Sequence, residues 1–228
     1  MQSSRLRIGI ISAEKSGDYL AASFIESLKS SGRDFELFGI GGKELDKFNI
    51  SRPQDFDREI LNVMGIIDPL KNLRQILRAR KQILDFLISK NINIFIGVDS
   101  PDLNSFFHKK LKKINSTINF QIVCPSVWAW RSGRVKQLRK FVDTTFCLFK
   151  FEHEYLKKNN VNSFHVGHPF QDIEKVEDVS SIKNRYGINN DSECLTFLVG
   201  SRRSEISNML SIYKKVIKKV YEGDKSYS

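Results

Sequence analysis

The stretch Ile94–Asn104, IFIGVDSPDLN, runs through five residues of almost no polarity and then sets two carboxylates, Asp99 and Asp102, on either side of Pro101. A carboxylate at the end of an apolar strand can act as a general base toward a hydroxyl. It can equally cap the helix that follows. Position alone leaves both readings open, and Asp102, nearer the helix, is the better cap. Pro101 disfavours right-handed helix at Ser100, which predicts an extended turn presenting Asp99 at the sheet's edge. A second junction, SAEKSGD, carries Glu14, Ser16, Gly17 and Asp18 after an apolar run. It lacks the spacing of a dinucleotide-binding glycine motif, and Glu14 and Asp18 repel phosphate, so a sugar or another hydroxyl-bearing ligand suits it better. A third, GSRRSEI, sets Gly200 and Ser201 in a tight turn with Arg202 and Glu205 at the start of a helix. Arg202 beside free backbone donors suits a diphosphate; a Ser/Glu capping box is the plainer reading.

Further groups with chemistry lie between these. CPSVWAWRSGR holds Trp128 and Trp130 two residues apart. In extended chain both rings fall on one side, where they could meet an acyl chain or sugar or simply complete the core. His168, before Pro169, ends an apolar run and reads as a catalytic candidate or as a hinge contact. Lys71, Arg74, Arg78 and Lys81, at helical spacings of three and four, make a cationic stripe: a solvated face by default, a contact with an anionic membrane surface as the sharper option.

Short apolar runs alternate with helical patterns. LRIGIIS, FELFGIGG, INIFIGV, FQIVC, TTFCLF and SFHVG read as strands, and helices lie between them, including a long one with Pro69 in its first turn. Such alternation implies right-handed crossovers and a parallel sheet covered on both faces, a doubly wound α/β domain over residues 1–170. Ligands of such sheets sit outside the carboxyl ends of the strands, where Asp99 falls. HPFQDIEKVEDVSS is polar and reads as a linker. Over residues 171–228 follow a short helix, one strand in CLTFLVG and a closing helix, only the start of a second domain. A lone strand has no neighbour for its backbone donors and acceptors.

The chain has 228 residues, 40% hydrophobic and 28% charged, an ordinary globular composition, with a net charge of +11 that favours acidic partners. No nucleic-acid-binding motif accompanies the charge, so nucleic acid ranks last among them. Cys124, Cys147 and Cys194 are odd in number and widely spaced, which predicts reduced thiols in a cytosolic setting with neither disulfides nor zinc. No apolar run reaches the length of a bilayer span or has the form of a signal peptide, so any membrane contact is expected to be peripheral.

SAEKSGD, GIGG, VMGI, FIGVDSPDLN, CPSVWAWRSGRVKQL, CLFKFEHEYL, HVGHPF and LVGSRRSEI occur in the order seen in the lipid-A-disaccharide synthases, and from Arg7 to Tyr221 the chain resembles that family. The resemblance implies a GT-B architecture, two Rossmann-like domains facing across a cleft, and no cofactor or metal. It implies inverting transfer from UDP-2,3-diacylglucosamine to 2,3-diacylglucosamine 1-phosphate with release of UDP, at the cytoplasmic face of the inner membrane. Asp99 matches the family's general base. Glu14, Ser16, Gly17, Asp18, Ser126, Trp128, Trp130 and Arg131 fall in motifs assigned to the acceptor. Gly200, Ser201, Arg202 and Glu205 match the start of the nucleotide domain. Two motifs depart from the family pattern: Lys15 stands where alanine is usual, and GIGGKELDKFNI lacks the usual proline and later glycine. Family members also continue well beyond the length of this chain, which implies a C-terminally truncated protein, completed by a missing half or paired as a homodimer. The alternative is an inactive remnant that binds anionic lipid.

Overall fold

The computed structural model describes residues 5–54, 56, 73–114, 116–129, 132–172, 178–200 and 203–223. The chain divides into two compact units, Met1–Asp172 and Ile173–Ser228.

The first unit alternates strand and helix: β1 (Leu6–Ser12), α1 (Lys15–Ser30), β2 (Phe35–Ile40), the one-turn α2 (Lys43–Asp46), α3 (Leu73–Ser89), β3 (Ile94–Val98), α4 (Pro101–Ile114), β4 (Ile118–Ile122), α5 (Arg134–Phe141), β5 (Thr144–Cys147), α6 (Lys150–Lys158) and β6 (Ser163–His165). The six strands form one parallel sheet in the order β2-β1-β3-β4-β5-β6. The chain steps from β1 to β2 on one side and returns to β3 on the other. The order therefore reverses between β1 and β3, whose ends Ser12 and Val98 lie in register. Helices that diverge at such a reversal leave a crevice above the strand ends.

Strand residues alternate between two apolar layers, as burial on both faces of a parallel sheet requires. Ile8, Ile10, Leu37, Ile96 and Val98 pack under α1 and α2 with Leu20, Ile25 and Leu45. Ile11, Ile40 and Phe95 pack under α3 and α4 with Ile83, Leu87, Phe107 and Leu111. A third cluster joins Val135 and Leu138 of α5 to Cys147 and to Leu156 of α6. α3 is amphipathic at a period near 3.6: Ile76, Ala79, Ile83 and Leu87 are buried, while Arg74, Arg78 and Lys81 face solvent. Pro69 and Lys71 lie outside the described residues.

The six strands expected from sequence are present, but β4 ends at Ile122 instead of running through Cys124. Val123 takes φ 73°, a conformation that a β-branched residue rarely adopts and that ends the strand. In the second unit, α7 (Val179–Arg185) and α8 (Arg203–Gly223) are helices as expected, whereas no residue of 194–200 is in a strand. Phe197 of this segment stands edge-on to Tyr213 of α8, with ring centroids 5.6 Å apart.

Among the described residues no helix is long and apolar enough to cross a membrane. The three cysteines are free thiols, Cys124 and Cys147 buried and Cys194 exposed. The adjacent Cys147 thiol, and then burial, push the Cys124 thiol up, away from the reactive thiolate.

Candidate active site

β3 delivers Asp99 to the rim of the crevice. Val98 is fully buried and Asp99 only partly so. The chain must reverse from strand into α4 within Asp99 and Ser100, and it does so with both residues left-handed, at φ 51° and 38°. The extended turn expected from Pro101 is therefore not found: Ser100 lies outside the β and polyproline II regions that a residue before proline favours. Two successive non-glycine residues in the left-handed region cost about 1–3 kcal/mol each. Neither carboxylate caps α4: the first helical amides, those of Leu103 and Asn104, donate to the carbonyl of Ser100 at 3.0 Å each. Asp102 lies inside the first turn, largely exposed, paired with Arg134.

The Asp99 backbone is held on both sides. Its N–H donates to the carbonyl of Ile122 at 2.9 Å. Its carbonyl accepts from Asn104 Nδ2 at 2.8 Å and from Gln121 Nε2 at 3.2 Å. Asn104 Nδ2 also reaches the carbonyl of Val98 at 3.2 Å, and Gln121 Nε2 those of Ile122 and Val123 at 3.0 and 3.3 Å. Beneath them His108 Nε2 lies 3.0 Å from Gln121 Oε1. Asn104, Gln121 and His108 are at most 3% exposed. Burial lowers the His108 imidazole to about 4, so it is neutral at pH 7; Nε2 carries the proton that Gln121 accepts. Gly97 makes room for both amides: a Cβ there would stand 2.9 Å from Asn104 Cβ and from Gln121 Oε1. These three polar residues were missed from the sequence. Their signal was there, since Asn104 and His108 interrupt the apolar face formed by Leu103, Phe107 and Leu111.

Across the crevice, only Ala13 and Glu14 separate β1 from α1. Glu14 is the partly buried N-cap position of α1, and its carbonyl accepts from Asp18 N at 2.9 Å. Ser16, Gly17 and Asp18 lie in the first helical turn. Ser16 is exposed and Gly17 buried. A Cβ at Gly17 would meet Ser12 Oγ at 2.8 Å and Asp99 Cβ at 3.4 Å, so glycine lets the start of α1 close against Asp99. Asp18 turns away from the crevice. It is 4% exposed, and its two oxygens accept from the amides of Gly42 and Glu44 at 2.7 and 2.8 Å. It thus caps α2 from the neighbouring helix.

The Trp loop is a turn over residues 126–129 and not an extended segment. Ser126 is exposed, and so is Trp128, at 47%. The Trp128 ring meets Phe151 edge-on at 5.1 Å, and Phe149 stacks on Phe151 at 5.9 Å, so these rings form a surface cluster and do not complete the core. Trp130 and Arg131 lie outside the described residues. His168 Nδ1 accepts from the amide of Phe170 at 3.1 Å, a local contact at the start of the turn Pro169–Asp172. An open groove runs along α1, lined by Leu20, Phe24, Ile122, Phe146, Leu148 and Val166 among others, with no Asp, Glu, Lys or Arg among the described residues of its wall. In the second unit Gly200, at φ 97°, turns tightly against Glu205, whose Cβ would lie 2.7 Å from a Cβ at 200. Ser201 and Arg202 lie outside the described residues.

The parallel sheet, its reversal between β1 and β3 and the carboxylate at the end of β3 define a doubly wound α/β domain, the kind of domain from which GT-B chains are built. A solved structure from Listeria monocytogenes, described as a UDP-N-acetylglucosamine 2-epimerase, superposes with a TM-score of 0.59 over 99% of this chain and 61% of its own, at 12% identity, a likeness of fold alone. The family model described as Lipid-A-disaccharide synthetase matches residues 8–227, and the chain belongs to that family. It is 35% identical over 210 residues to the lipid-A-disaccharide synthase of Acinetobacter baylyi and 37% over 209 to that of Paraburkholderia phytofirmans, covering 90% of this chain in each case. The chain spans about half the length of these curated relatives, 52% and 53%.

Proposed function

We propose that the chain carries the acceptor side and catalytic base of a lipid-A-disaccharide synthase. The reaction is inverting transfer of 2,3-diacylglucosamine from UDP-2,3-diacylglucosamine to 2,3-diacylglucosamine 1-phosphate. Asp99 takes the proton of the acceptor's 6-hydroxyl as that oxygen attacks the anomeric carbon; the bond from that carbon to the diphosphate breaks, and UDP leaves with the electron pair. The observation that carries this reading is the position of Asp99, partly exposed on a left-handed turn at the switch-point crevice with the start of α1 closed against it. Glu14, Ser16, Gly17, Ser126 and Trp128 line the acceptor's approach, Trp130 and Arg131 are assigned to the acceptor by the family motif alone, and Asp18 contributes by holding the glycine loop in place. The uncharged groove along α1 offers walls suited to an acyl chain. Gly200, Ser201, Arg202 and Glu205 begin the nucleotide side, where Arg202 offsets charge building on the departing diphosphate. The exposed Arg74, Arg78 and Lys81 of α3 favour peripheral contact with an anionic membrane surface.

The test is release of UDP from both lipid substrates, with the Acinetobacter baylyi relative assayed alongside. Asp99→Asn is expected to lower turnover about 100-fold or more, within the usual range for general base catalysis, while leaving the unfolding midpoint within a few tenths of a molar urea. No UDP from this chain beside an active relative would refute transfer by this chain.

A further inference from the structure

We infer that Asn104 and Gln121 are positioning residues for Asp99: their side-chain amides hold the left-handed Asp99–Ser100 turn from beneath and so fix where the carboxylate stands. The inference rests on the reading of Asp99 as the acceptor's base.

A left-handed pair of non-glycine residues persists only where its surroundings over-determine it. Here the restraints converge on the peptide groups flanking Asp99. Asn104 Nδ2 binds the carbonyls of both Val98 and Asp99, Gln121 Nε2 binds that of Asp99, and the Asp99 N–H is held by Ile122. The amides are themselves oriented. His108 Nε2 engages Gln121 Oε1, so the Gln121 NH₂ must face the rim, where it also ties down the second left-handed turn at Val123. Asn104 is fully buried, yet among the described residues its Oδ1 has no hydrogen-bond partner. A residue serving packing alone would be apolar there, because an unsatisfied buried oxygen is unfavourable. What asparagine adds over leucine at that position is its two donors, and its Nδ2 points at the turn that carries Asp99. Gly97 leaves the space in which the two amides meet.

The test follows the Asp99 signals by NMR in the full chain labelled with ¹³C-aspartate, identified by their loss in Asp99→Asn. Asn104→Leu and Gln121→Met each remove the donors at similar volume. Each is expected to displace or double the Asp99 Cα and Cγ resonances while leaving those of Asp34 and Asp143 in place. Adding Ser100→Gly to either variant is expected to bring the Asp99 signals back, since glycine takes the left-handed conformation without steric cost; lost packing would not be restored by a change at Ser100. Asp99 signals unmoved in the folded single variants, or not restored by Ser100→Gly, would overturn the inference. If a variant does not fold, the unsubstituted chain decides. Side-chain amide protons of Asn104 and Gln121 should exchange at least tenfold more slowly than those of the exposed Asn190, and equal rates would overturn it. Where the chain releases UDP, both variants should lower kcat about tenfold with the acceptor KM within twofold. Absence of UDP from the unsubstituted chain would count against transfer alone, and the Asp99 resonances would still decide whether the two amides position the carboxylate.

Discussion

Acidification should destabilise the first unit in part through one side chain, His108. Its imidazole is lowered from 6.5 to about 4, burial being the main cause and the Gln121 hydrogen bond and the charge of Asp143 opposing it. Because the folded-state value is the lower one, the unfolded chain binds the proton first as pH drops below 6.5. The stability that neutral His108 contributes is complete above 6.5, is lost progressively down to about 4, and changes no further below that. Linkage between those two values gives a loss of about 2 kcal/mol at pH 5 and about 3 kcal/mol at pH 4. With 3% of the residue exposed, no discount for solvent screening applies. Other groups also titrate in this range, so the comparison is with His108→Leu. That variant should be about 1–3 kcal/mol less stable at pH 7, because Gln121 Oε1 loses its donor. The gap should close by about 2 kcal/mol between pH 7 and pH 5. Urea unfolding followed by tryptophan emission reads this unit alone, since Trp128 and Trp130 both lie within Met1–Asp172. A gap of the same size at both pH values would refute the claim that His108 is held neutral, and with it the proton placement that orients Gln121.

Two further substitutions probe the frame around the crevice. Gly97→Ala should cost about 1–3 kcal/mol by overpacking, measured by urea unfolding, because its Cβ falls 2.9 Å from Asn104 and Gln121 at once; an unchanged midpoint would mean that the amides have room to move apart. Asp18→Ala should leave the amides of Gly42 and Glu44 without their acceptor, costing about 1–3 kcal/mol and speeding hydrogen exchange at those two positions while exchange in β3 is unaffected.

The sheet was legible because each strand is an apolar run between turn signals, and the alternation with helices leaves few topologies to choose from. The position of Asp99 followed from the same rule, since the end of β3 is a place in the fold before it is a set of contacts. CLTFLVG misled for a related reason. It has the composition of a strand, but strand formation belongs to a pair of segments, and composition does not reveal whether a second segment lies beside it. Asp18 shows the converse: its type and place beside Ser16 suggest a ligand-facing acid, yet the one-turn α2 supplies two amides within reach of its oxygens.

The interior amides were harder to read because their meaning is relational. Asn104 and His108 look like ordinary polar intrusions on an amphipathic helix, and Gln121 like a half-exposed strand residue, until β3 and β4 are set side by side and the three fall on one line beneath Asp99. The left-handed turn links them to the site. A strained reversal at the end of β3 needs donors from below, and among the described residues the side chains that reach it come from the first turns of α4 and the end of β4. Those places hold Asn104 and Gln121, and Gly97 is the residue small enough to let them in. The catalytic proposal for Asp99 and the unusual polarity of this part of the core therefore share one physical cause, the geometry of a two-residue turn.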